Sequence, residues 1–311
     1  MQHEAGLAHH ALVALRLVHF AALMAAFGAP MFRFYGVAGL PRPDEPAALA
    51  LFDRWLARLV LAGALTALVS GLLIVPCVAA MMAGSSAAGL DPATLQVVLL
   101  DTAFGRIWCW HLGFAALLML TAGANRLVPL GLVLALAGTS LATLALVGHA
   151  ADQRGWLGLA RELNQSLHLL AAGMWLGGLL PLGWLLRRAG GGDDPSFIEL
   201  AREAVPPFSQ MGYAAVALIA LTGAINTLIL VGGIGALFGT GYGRLLALKI
   251  LLYLTMVAFA LVNRFRLAPL LQRSPQPAAA AALHHSVLIE QAIGIAILAA
   301  VSLLGTWPPP R

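Results

Sequence analysis

The sequence predicts an all-α fold: a polytopic membrane protein, a bundle of eight transmembrane helices with both termini periplasmic. Three observations carry that reading. Of the 311 residues, 60% are hydrophobic and only 10% charged, where a soluble domain is about a quarter charged. Eight apolar stretches reach the ~20 residues a helix needs to cross a hydrocarbon core. Arginines are divided unevenly between the connections, and basic residues accumulate on the cytoplasmic side.

The spans run over about 11–34, 55–80, 106–123, 127–148, 165–186, 209–231, 244–264 and 283–305. Polar or Pro/Gly-rich segments bound them: GLPRPDEP (39–46), AGSSAAGLDP (83–92), ADQRGWLGLARE (151–162), AGGGDDPS (189–196), GGIGALFGTGYG (232–243) and RSPQPA (273–278). Such residues favour turns and interrupt helices. The third span is the shortest. No soluble domain fits between the spans and no internal repeat is evident, so the chain reads as a single domain over 1–311.

Orientation follows from counting. Arg33, Arg42, Arg54, Arg58, Arg126, Arg187, Arg188, Arg202, Arg264, Arg266 and Arg273 fall on one side. Only Arg106, Arg154, Arg161, Arg244 and Arg311 fall on the other, and eleven against five puts both termini outside. The N-terminal MQHEAGLAHH lacks the basic start of a signal peptide, and the first apolar run is too long for one. The composition, with no eukaryotic targeting segment, points to a bacterial inner membrane. The net charge of +5 therefore reflects topology and implies no nucleic-acid partner. Walker and GxGxxG loops are absent, so no nucleotide is expected. Cys77 and Cys109 both lie within apolar runs, which argues against a disulfide framework.

Placed on these spans, four histidines fall in the outer third of the membrane. His19 lies about 12 Å into the first helix at ~1.5 Å per residue. His111 sits one turn past Arg106, His149 at the mouth of the fourth helix, and His168 one turn into the fifth. A polar group in hydrocarbon is costly and marks a candidate site. Sulfur occurs at the same depth: the second helix ends in PCVAAMM (76–82), with Cys77 and Met81 on one face and Met82 beside them. Cys109 lies about 200° around the helix from His111, so only one can face inward, and the histidine suits that role. Asn164, one turn before His168 on the same face, is the expected support for its ring. Met24, below His19, and Glu290, in the inner half of the last span, are the expected relay positions.

Imidazole with thioether or thiolate suits copper, and methionine favours Cu(I). The metal-site expectation is therefore His19, His111, His149, His168, Cys77, Met81 and Met82. Paired histidines on facing helices also permit haem b, in electron transfer or haem-dependent oxidation. No catalytic constellation is otherwise visible, so no enzyme is expected. Arg16 and Lys249 lie near the outer surface, within reach of it by snorkelling. Glu290 is expected to pair with Arg264 or Arg266.

The stretches RLVHFAALMAAFGAPMF (16–32), GHA (148–150), SLHLLAAGMWLGGLLPL (166–182) and GRLLALKILLYLTMVAFALVNRFRLAPLL (243–271) resemble the copper-resistance protein D (CopD) family. The likeness is strongest over 143–305 and extends weakly over the whole chain. It implies an inner-membrane protein of copper homeostasis, working with a separate periplasmic carrier of the CopC type and moving copper inward. A copper receptor without transport fits the same residues.

Overall fold

A computed structural model describes residues 2–37, 47–124, 128–147, 155–192 and 194–310. Eight helices are long and apolar enough to cross a membrane: α1 (Gln2–Gly36), α2 (Ala47–Ala83), α3 (Ala103–Ala124), α4 (Leu130–Val147), α5 (Trp156–Gly191), α6 (Pro195–Val231), α7 (Gly241–Arg273) and α8 (Pro277–Leu304). No strand occurs among the described residues. Each helix coincides with one predicted span, but several run on past the apolar stretch. The largest extension is in α6, which begins at Pro195 and continues through Pro206 and Pro207. Hydropathy sees only the lipid-facing length, while the helix carries on with Glu199, Arg202 and Glu203 beyond it. Between α2 and α3 a short helix, Pro92–Gln96, is capped by Asp91, whose carboxylate accepts from the Thr94 amide (2.9 Å) and hydroxyl (2.7 Å). These bonds favour the ionised acid and hold its pKa below the usual value.

Helix α1 is the central element, packed against α2, α4, α5, α6 and α8. Small residues allow this. Gly28 of α1 meets Gly173 and Gly177 of α5 backbone to backbone, and Gly177 lies against the Met24 carbonyl, so a Cβ at any contact would collide. Gly63 of α2 likewise approaches Ala22 and Ala26. Close approach through glycine and alanine substitutes packing for the hydrophobic drive that lipid does not supply. Gly173–Gly177 is also a π turn, which inserts one residue into α5 and turns Trp175 inward.

Polar contacts fix the helix ends. Arg33 of α1 forms a two-pronged pair with Asp53 of α2 at 2.7 and 3.2 Å. Gln272 donates to the Arg202 carbonyl at 2.8 Å, joining α7 to α6. Gln291 of α8 donates to the Leu179 carbonyl of α5 at 2.8 Å. The backbones of α6 and α7 stay apart along their middle, where side chains bridge them: the Tyr253 hydroxyl donates to the Val216 carbonyl at 2.9 Å. Beside it lies a cavity of about 610 Å³ walled by α1, α4, α5, α6, α7 and α8.

Candidate metal centre

His19 and His111 converge. Their rings come from α1 and α3, both are almost fully buried, and their Nε2 atoms stand 2.9 Å apart. The other nitrogen of each ring meets a hydroxyl: His19 Nδ1 lies 2.9 Å from Ser70 Oγ of α2, and His111 Nδ1 lies 2.8 Å from Thr143 Oγ1 of α4. Each hydroxyl has one proton, and each can donate it to its own helix, Ser70 to the Thr66 carbonyl at 2.6 Å and Thr143 to the Ser140 carbonyl at 2.8 Å. Were both hydroxyls to keep those bonds, both rings would carry their protons on Nδ1, but an Nε2–Nε2 separation of 2.9 Å is that of an N–H···N hydrogen bond. One ring therefore carries its proton on Nε2 and takes its hydroxyl's proton at Nδ1, and it donates to the lone pair of the other.

Trp108 holds the pair in place. Its ring stacks on His111 at 4.7 Å, and its indole N–H donates to the Gly71 carbonyl of α2 at 2.9 Å. Gly71 keeps α2 close: a Cβ there would lie 3.3 Å from His19 Cε1 and 2.9 Å from Leu112. With Trp108 and Leu112 against the rings, no space remains between them for a porphyrin. Haem b bracketed by these two histidines does not fit.

His168 carries the same device at a different place. Its Nδ1 lies 2.8 Å from Thr222 Oγ1 of α6, and Thr222 donates to the Leu218 carbonyl at 2.5 Å. Its Nε2 is again a lone pair, without a hydrogen-bond partner among the described residues, and the ring lines the large cavity. Among the described residues no three His, Cys, Asp or Glu side chains stand close enough to hold one ion. The structure therefore joins two of the four expected histidines and sets His168 apart. His149 lies outside the described residues.

The sulfur atoms are not drawn to the pair. Cys77 is half-buried against the core, Met81 and Met82 are exposed at the end of α2, and Cys109 is exposed on the face of α3 away from His111. Met24 is buried at the crossing with α5. Asn164 does not hold the His168 ring. It donates to the Thr222 carbonyl at 3.1 Å and to Asn226 Oδ1 at 2.9 Å, bracing the segment that carries the hydroxyl. Glu290 is buried and accepts from Asn263 rather than from Arg264 or Arg266, and Arg264 lies instead over the Tyr213 ring at 5.7 Å. Arg16 and Lys249 line the cavity, with Arg16 folded against Gly305 at the end of α8.

Sequence reasoning missed Ser70, Thr143, Thr222 and Trp108. Their signal was a hydroxyl at histidine depth on a neighbouring span, a weak one because such residues are common in membrane helices.

Comparison with known proteins agrees with the fold. Residues 7–159 match the family model described as copper resistance protein D-like, N-terminal domain, and residues 202–304 match copper resistance protein D. The chain is 31% identical over 297 residues to inner membrane protein YebZ of Escherichia coli, covering 96% of this chain and 98% of that one. It is 28% identical over 305 residues to copper resistance protein D of Pseudomonas syringae, covering 96% of each. Copper transport protein CutJ of Bacillus subtilis is 28% identical over 264 residues, covering 81% of this chain and 46% of CutJ. The chain is a multi-pass inner-membrane protein and belongs to the copper resistance protein D family.

Proposed function

We propose that this protein serves copper homeostasis by taking up Cu(I) between His19 and His111 and passing it inward. The observation that carries the reading is the facing pair of buried Nε2 atoms, 2.9 Å apart. With one N–H between them the two rings share a hydrogen bond, and a cation that displaces that proton finds two imidazole nitrogens already facing each other. A proton satisfies the pair at that distance. A metal ion needs about 4 Å, twice the ~2 Å imidazole–metal bond, so the rings must part by about 1 Å. Two neutral nitrogens in a dry pocket favour a monovalent, soft ion of low coordination number, because a dication would keep its full charge in hydrocarbon.

Names of the relatives support copper as the cargo. On the arginine count the pair lies in the outer half of the membrane, within reach of a periplasmic donor of the CopC type. Inward passage then runs along isolated methionines, with Cys77, Met81 and Met82 as accessory soft ligands nearer the outer surface. The protein acts as a carrier, without catalysis.

Competition titration with a Cu(I) chelator tests the binding claim. One high-affinity Cu(I) per chain is expected, lost in His19→Ala and in His111→Ala and retained in His168→Ala. Unchanged affinity in both of the first two variants would overturn it. Proteoliposomes holding a copper-responsive dye, with a CopC-type donor outside, test passage. Binding without a dye response under either a voltage or a proton gradient would make the protein a copper receptor.

A further inference from the structure

The large cavity is separate from the histidine pair and has its own chemistry. Its wall contains Arg16, Arg161 and Lys249 and no aspartate or glutamate among the described residues. Among the described residues neither Arg16 nor Lys249 has an ion pair or a side-chain hydrogen bond; the Nε of Arg16 is buried without a partner, and its guanidinium lies over the Phe20 ring at 5.8 Å. The end of α8, whose last carbonyls carry partial negative charge, offsets part of the Arg16 charge. Lys249, about two turns into α7, has no such neighbour among the described residues. A cation held inside a membrane bundle without an anion costs several kcal/mol. Both cations face the same space.

That space is shaped for an amphiphile. Most of the lining is apolar, including Phe20, Leu169, Leu176, Ile219 and Leu246. Its volume, about 610 Å³, lies in the range of small-molecule sites. It is bordered by α6 and α7 where their backbones stay apart. The lone pair of His168 Nε2 supplies one directional contact, able to accept a proton donor or to ligate a metal centre carried by the guest.

We propose that this cavity binds an amphiphilic acid drawn from the membrane, its acidic groups paired with Arg16 and Lys249 and its apolar body along α5–α8. Two sources share this chemistry: an acidic phospholipid and a dicarboxylate tetrapyrrole such as haem. The proposal does not depend on copper binding at the other site.

The test begins with full-length protein purified in a non-ionic detergent, examined by native mass spectrometry and by absorption. About one acidic amphiphile per chain is expected. A phospholipid is identified by mass and phosphorus, a tetrapyrrole by a Soret band. Delipidated protein is then titrated with phosphatidylglycerol, haemin and, as a zwitterionic control, phosphatidylcholine. One of the two acids should bind at least 10-fold more tightly to the natural protein than to Lys249→Gln, with Lys249→Arg restoring most of the difference. Phosphatidylcholine should not distinguish them. Removing an unpaired buried cation relieves the empty protein, so Lys249→Gln should fold. If both acids bind Lys249→Gln and Arg16→Gln as they bind the natural chain, or if the co-purifying guest is neutral, the proposal is wrong.

Discussion

The Nε2 atoms of His19 and His111 face each other across 2.9 Å, and the hydroxyls of Ser70 and Thr143 hold the far nitrogen of each ring. The arrangement makes the hydroxyls as informative as the histidines. Ser70→Ala or Thr143→Val frees a ring from the orientation in which its Nε2 faces the other. Partners that orient a ligand in this way are typically worth about 10–100-fold in metal affinity. Each variant should weaken Cu(I) binding by that order, measured by chelator competition. Each also leaves a buried ring nitrogen without its partner, at a cost of about 1–3 kcal/mol read as a lower Tm.

The crossing of α1 and α5 sets backbone against backbone, and it should tolerate no side chain. Gly177→Val or Gly28→Val drives a branched group into backbone. Overpacking of this kind costs about 1–3 kcal/mol or more, so both variants should melt earlier in detergent. Gly113→Ala, on α3 with open space around it, is the matched control and should melt as the natural chain does.

Much of the bundle was legible from the sequence. The eight spans announce themselves because lipid demands about 20 apolar residues in a row. Depth put His19, His111, His149 and His168 in one layer without saying which of them would meet. Depth fixes height alone, however, and the angular position of each helix comes from the glycine contacts of α1. For that reason His168, at a similar expected depth, opens into a different space. The same limit applies to Glu290. Asn263 begins a π turn that runs to Leu267, and the inserted residue rotates Asn263, in place of an arginine, toward the acid.

Arg33 and Asp53 tie the other end of α1 to α2 with both prongs of the guanidinium engaged. The arginine is 14% exposed and the aspartate 35%, between a surface and a buried pair. Asp53→Asn should therefore cost about 1–2 kcal/mol of stability without changing Cu(I) affinity. Thermal unfolding and chelator titration of one preparation check both halves.

Topology is open to direct labelling. In a Cys77→Ser, Cys109→Ser background, Trp156→Cys should react with an impermeant thiol reagent from the periplasm and Arg273→Cys only after lysis. The reverse pattern would place the histidine pair in the inner half of the membrane and remove the periplasmic donor from the account.

X-ray absorption at the copper edge of the Cu(I)-loaded protein reads the ligands of the bound ion themselves. A two-coordinate ion is expected, with two nitrogen scatterers at about 2 Å and no sulfur, the spectrum vanishing in the His19→Ala, His111→Ala double variant. A copper–sulfur shell, or a spectrum that survives that double variant, would contradict the two-histidine site.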